Sequence, residues 1–172
     1  WSEAEHARLT PLMAARKRDG FIRECHGDMH LGNLAWVDDA LLVFDCLEFN
    51  PELRWIDIQS EIAFCYMDLL QRGHPDLAWL FLNTWLEKTG DHGGLALLRY
   101  YAVYRALVRV KVAVLRAVQT TGAVHETVLA EARTILELAT TLTRPLPLRL
   151  DITHGLSGSG KSSLAFDTLY AE

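Results

Sequence analysis

The chain has 172 residues, half of them hydrophobic and 23% charged, with a net charge of −5. This balance suits one globular domain with a real core, or parts of two, and it carries no global basic signal for nucleic acid. The three cysteines, Cys25, Cys46 and Cys65, form no C-x-x-C pair, which argues against a disulfide framework or a zinc site and fits a reducing cytoplasm. Neither a leader pattern nor an uninterrupted apolar run long enough to span a bilayer is read. A cytoplasmic protein without membrane partners is expected.

Ser2 is expected to cap a first helix whose opening turn carries Glu3 and Glu5, favourable at the positive end of a helix dipole. Leu9, Leu12, Met13 and Ala15 follow at helical spacing; Pro11 kinks this helix or starts a new turn, and Gly20 ends it. Phe21 to Cys25 is a short strand candidate. It leads into the loop His26-Gly27-Asp28-Met29-His30-Leu31-Gly32-Asn33. Leu34 to Val37 reads as a strand, Asp38-Asp39 as a turn and Leu41 to Phe44 as the return strand. A hairpin brings its ends together, so Asp45 is delivered beside Asn33.

Asp28 and Asn33 have the D-x-x-x-x-N spacing of a kinase catalytic loop, in which the aspartate accepts the proton of the substrate hydroxyl and the asparagine holds a metal. HGDMHLGN followed by VFDCLEF resembles the aminoglycoside phosphotransferase and choline kinase group, closest to a bacterial branch fused to a C-terminal P-loop ATPase. The resemblance covers roughly residues 2–143. It implies a protein-kinase-like fold and a transferase that uses ATP and Mg2+ to phosphorylate a small hydroxylated molecule. It also implies Asp28 as catalytic base, His26 as its helper in holding the loop, Asn33 and Asp45 as magnesium ligands, and Asp57 as a structural brace from the next helix. The middle of the usual D-F-G is Cys46, followed by Leu47, so the activation-segment logic of regulated kinases does not carry over.

After an Asn50-Pro51 turn, Trp55 to Gln71 predicts a helix with Asp57 in its first turn and Glu61 one turn later on the same side. Asp57 is preferred over Glu61 as the residue that reaches back to the loop. Leu77 to Lys88 predicts another helix stopped by Gly90. A long helix from Gly93-Gly94 to about Gln119 is apolar nearly all round and is expected at the centre of a bundle. Its Arg105, Arg109 and Arg116 form either a solvated face, the favoured reading, or cations lining an anionic site. Tyr100, Tyr101 and Tyr104 read as core aromatics. Val124 to about Leu142 is the last helix of the domain.

Arg144-Pro145-Leu146-Pro147 is the best linker in the chain. The expected organisation is a kinase-like C-lobe over 1–143, a linker over 144–148 and the start of a P-loop domain over 149–172. The fold class is therefore α+β and mostly helical, with a short hairpin, followed by the first strand-loop-helix of an α/β unit. In that unit, Leu148 to Thr153 reads as the strand. Gly155-Leu156-Ser157-Gly158-Ser159-Gly160-Lys161-Ser162 is a full G-x-x-x-x-G-K-S phosphate loop, with a helical pattern from Ser162 and Ser163 as a further nucleotide-binding candidate. Backbone N–H groups around Gly158 and Gly160 would cradle phosphate, Lys161 would meet the terminal phosphates and Ser162 would offer a hydroxyl to Mg2+. The tail GLSGSGKSSLAFDTLYAE also resembles the first phosphate loop of the ATPase component of excinuclease ABC, which acts in DNA repair.

The leading expectation is thus a phosphotransferase with nucleotide and a small molecule as partners. The alternative is part of a DNA-repair ATPase, the one reading under which nucleic acid is a partner. A metal-dependent hydrolase built on the H-x-D-x-H of His26, Asp28 and His30 ranks lower, and a kinase-like scaffold that only binds is a fourth reading. Residues 1–25 offer no nucleotide lobe and no strand lysine, and nothing after Ser163 offers a Walker B acid. The chain is therefore read as a piece of something longer, binding ATP weakly and turning over negligibly on its own.

Overall fold

The computed structural model describes residues 1–144. Helix α1 (Ser2–Arg18) runs unbroken through Pro11, with Arg16, Lys17 and Arg18 complementing the dipole at its end. Ser2 does not cap it: the Trp1 carbonyl already accepts from the Glu5 N–H at 2.9 Å, so Ser2 sits inside the first turn. Strand β1 (Ile22–Glu24) follows, and β2 (Leu34–Val37) and β3 (Ala40–Val43) make the hairpin. Leu34 pairs with Val43 and Val37 with Ala40, so the two ends of the hairpin register as the sequence requires. Asp38 and Asp39 both turn with positive φ, at 48° and 59°, the backbone that a tight hairpin with right-handed strand twist needs.

The predicted helix over 55–71 is instead a strand followed by a helix, with one further helical turn ahead of them. Asn50 caps a single turn, α2 (Pro51–Arg54), and Trp55–Asp57 is strand β4, paired antiparallel with β1. Asp57 is the extended N-cap of α3 (Ile58–Gln71), its side chain accepting from the Gln59 N–H at 2.9 Å. A residue in that conformation ends the strand and starts the helix at once. Helix α4 (Pro75–Thr89) closes on Gly90 in the left-handed region, and α5 (Leu95–Val118) and α6 (Gly122–Thr143) form an antiparallel pair.

The central helix is α3, not α5. Every residue of α3 from Gln59 to Leu69 is buried, packed among α4, α5 and the hairpin side of the molecule, with Phe64 and Met67 at its heart. Helix α5 buries Leu98, Ala102 and Ala106 against α3, but its last turns leave Val114, Leu115 and Val118 exposed. Apolar composition around a helix therefore overstated its burial. Of the three tyrosines, Tyr104 is exposed, and Tyr100 is partly buried with its hydroxyl bonded to His6. Among the described residues, the chain is α+β and mostly helical, and no helix is long and apolar enough to cross a membrane.

Candidate functional site

The loop from His26 to Asn33 is irregular backbone, so its polar groups need partners from outside. Helix α3 supplies two. The Glu61 carboxylate accepts from the N–H of His26 at 3.0 Å and of Gly27 at 3.1 Å, and Asp68 accepts from the Leu31 N–H at 2.9 Å. Helix α5 supplies the third: Arg105 donates to the Gly27 carbonyl at 2.9 Å and to the Ser60 carbonyl at 3.3 Å. Burial pushes the Glu61 carboxyl up and draws the Arg105 guanidinium down. Gly27 is required where it stands. Its φ is +85°, and a Cβ there would lie 2.8 Å from the Leu53 carbonyl oxygen.

This frame presents Asp28. The Asn33 side-chain amide donates to the Asp28 carbonyl at 3.0 Å and to its carboxylate at 3.2 Å. His30 Nε2 lies 3.5 Å from the same carboxylate oxygen. Because His30 Nδ1 accepts from the Gly32 N–H at 3.0 Å, Nε2 carries the proton and points it toward Asp28. The His30 hydrogen bond, with lesser help from Asn33 and the Arg109 charge, holds the Asp28 carboxyl below its ordinary range despite burial.

His26 works as a strut. Its Nδ1 accepts from the Asp28 N–H at 3.3 Å and its Nε2 donates to the Phe44 carbonyl at 2.7 Å. Both ring nitrogens are thereby engaged, which removes the H-x-D-x-H metal set. No group of three or more His, Cys, Asp or Glu is arranged to hold a metal ion among the described residues. The Phe44 N–H returns a bond to the Asn33 carbonyl at 3.0 Å, so the two ends of the hairpin are tied and Asp45 follows at once. Asp45 is exposed and has φ of 62°, a turn that aspartate tolerates better than most residues.

Asp28 borders two cavities. One, of about 610 Å³, runs along Asp45 and on to Glu48 and Phe49. The other, of about 250 Å³, lies between the loop and the α5–α6 pair and is bordered by His30, Arg109, Arg116 and Glu131.

Three placements depart from the expected ones. Asp57 does not reach the loop: it is buried in a cluster where Arg16 donates to it at 2.7 and 2.8 Å and to Asp91 at 2.7 Å twice. Burial alone would favour neutral Arg16, but those bonds to Asp91 and Asp57 raise its pKa instead. Glu61 takes the brace's place, because a residue one turn beyond the N-cap faces the loop while the cap itself faces α1. Arg105 is buried rather than on a solvated face. Arg16, Asp68 and Asp91 were not singled out from the sequence. A charge inside the apolar run Ile62 to Leu70 was the available signal for Asp68, since such a charge must be paired. The phosphate-loop residues Gly155, Ser157, Gly158, Ser159, Gly160, Lys161, Ser162 and Ser163 lie outside the described residues.

The site is a carboxylate on a clamped loop between an acidic and a basic cavity. Uncharacterized proteins of Mycobacterium tuberculosis and Mycobacterium bovis are 36% identical to this chain over 154 residues, 90% of the chain and 30% of the length of each relative. The chain thus spans less than a third of the curated relatives it matches. A stretch of 24 residues, 14% of the chain, is 79% identical to UvrABC system protein A of Serratia marcescens and covers 32% of that sequence. No protein-family profile and no solved structure matches the chain.

Proposed function

We propose that the whole protein is an ATP-dependent phosphotransferase of kinase-like fold that phosphorylates a small hydroxylated molecule, and that residues 1–143 are its catalytic lobe. The observation that carries this is Asp28 bordering both cavities, ionised and hydrogen-bonded to Asn33. A base in that position meets an acceptor hydroxyl from one side and a donor phosphoryl group from the other. As the acceptor oxygen bonds to the γ-phosphorus, its proton passes to the Asp28 carboxylate, and ADP leaves with the bridging oxygen. An amide oxygen and a carboxylate are the hard donors that Mg2+ takes, so Asn33 and Asp45 would hold it. The ion would neutralise phosphate charge. In the whole protein, Asp28→Ala is expected to abolish transfer while leaving Mg-ATP binding, and Asp45→Ala to weaken both. Transfer persisting in a folded Asp28→Ala variant overturns the reading.

The short match to UvrABC system protein A favours a second nucleotide site, the phosphate loop Gly155 to Ser162. It would belong to a kinase-type ATPase or to a DNA-repair ATPase. ATP hydrolysis that survives Asp28→Ala but not Lys161→Ala would assign activity to this loop, and DNA-stimulated hydrolysis would favour repair.

A further inference from the structure

We infer that the acceptor is a small hydroxy acid whose carboxylate or phosphate is held by Arg109 and Arg116 in the cleft between the His26–Asn33 loop and the α5–α6 pair. This rests on the phosphotransferase reading and names its substrate class. The two cavities at Asp28 differ in sign. On the hairpin side the charged borders are Asp45 and Glu48, which suits a cation carrying phosphates. On the helix side they are Arg109 and Arg116 against Glu131. Both arginines border the same cavity as Val112 and Ala113, and positions 109, 112, 113 and 116 fall on one face of α5. Two turns of helix separate the two backbone positions, a rise of about 10 Å.

Neither cation is fully spent within the protein. Arg109 meets Glu131 at 3.4 Å, and the Glu131 side chain is 40% exposed, a loose pair of small net worth. No carboxylate lies within ion-pair distance of Arg116 among the described residues. A guanidinium matches the planar fork of a carboxylate or phosphate with two parallel hydrogen bonds, which a loose ion pair to Glu131 readily yields to. The cavity of about 250 Å³ is below the range of drug-sized sites and fits a metabolite of few atoms. Asp28 borders the cleft and would meet a hydroxyl there, and the two arginines that border the same cleft would meet the acid. A cationic acceptor would meet two like charges there.

The test is a titration of the 172-residue chain followed by backbone amide resonances, with D-glycerate, glycerol 3-phosphate, glycerol and choline as probes and Mg-ATP as competitor. Glycerate or glycerol 3-phosphate is expected to shift His30, Arg109 and Arg116 saturably, while glycerol and choline do not. Arg116→Gln, at an exposed position, is expected to weaken that binding about ten- to a hundred-fold, and Arg133→Gln, on the outer face of α6, to leave it unchanged. Choline binding in the cleft, absence of anion binding, or equal affinity in Arg116→Gln overturns the inference. Displacement of the anions by Mg-ATP with loss of ATP affinity in Arg116→Gln also overturns it, because the arginines would then hold the donor. Anion binding that behaves as expected, together with transfer that survives Asp28→Ala in the whole protein, would instead sink the placement of phosphoryl transfer at Asp28 and leave the acid-binding cleft standing.

Discussion

The Arg105 guanidinium donates to the Gly27 carbonyl at 2.9 Å across 78 positions of sequence, while Glu61 takes the N–H of the same residue at 3.1 Å. The two peptide units that flank the Gly27 Cα, just before Asp28, are therefore each gripped by a side chain, one from α3 and one from α5. Glu61→Ala leaves the His26 and Gly27 N–H groups without a partner, each costing about 1–3 kcal/mol when buried. Urea unfolding should report that loss. Its pH dependence has a definite sign. The Glu61 carboxyl is raised by burial, so its contribution is fully present below the unfolded value and is lost as pH rises through the folded one. Glu61→Gln should flatten that slope.

Arg16 bridges Asp57 and Asp91, and so ties α1 to the start of α3 and to the turn before α5. All three side chains are almost wholly buried. Arg16→Met strands two carboxylates, and a loss of about 3–5 kcal/mol is expected. Arg16→Lys keeps the charge but not the fork, and should recover only part of it. Full recovery by lysine in thermal melts would mean that charge alone matters.

Gly27→Ala is expected to destabilise the chain by about 1–3 kcal/mol, because φ of +85° is unfavourable to any side chain and the new methyl group would meet the Leu53 carbonyl. The damage should concentrate on the loop, with amide exchange rising first at His26 to His30.

The hairpin, both of its ends and the loop spacing were legible in the sequence, because turn chemistry and strand length are local properties. What was not legible was the partner of each charge. Asp57 and Glu61 lie one turn apart with the same carboxylate, and only the approach of Arg16 from α1 to the N-cap of α3 decides that one meets Arg16 and the other meets the loop. Similarly, Arg105, Arg109 and Arg116 recur at one or two turns on one helix, yet the first is buried under the loop, the second is half-buried and the third is exposed. Periodicity places a residue on a face; the neighbour opposite that face gives it a role. Trp55 to Asp57 escaped for the same reason, since a three-residue strand exists only because β1 lies beside it.

The Asp28 carboxyl offers a direct check on the site in the isolated chain. His30 contributes most to holding its pKa down. Carbon-detected carboxyl titration should place Asp28 below the ordinary aspartate range, and His30→Ala should move it upward, with Asn33→Ala moving it less. The stability linked to Asp28 is present above its unfolded value and is lost as pH falls through the folded one, so His30→Ala should shift that acid limb to higher pH. An unchanged Asp28 midpoint in His30→Ala would show that the 3.5 Å contact carries no hydrogen bond.

Asp38 and Asp39 hold the hairpin turn with φ of 48° and 59°. The left-handed region costs a side-chain-bearing residue about 1–2 kcal/mol, and aspartate recovers part of that through local hydrogen bonding. Glycine recovers nearly all of it at the second turn position, and asparagine suits the first. Asp38→Asn with Asp39→Gly should therefore raise stability by up to about 1 kcal/mol while removing two negative charges from an exposed tip. If the tie between Phe44 and Asn33 depends on turn geometry, the same variant should also slow exchange of the Phe44 amide, which donates across the hairpin base at 3.0 Å. Loss of stability in the double variant would mean that the two carboxylates make contacts beyond the turn itself.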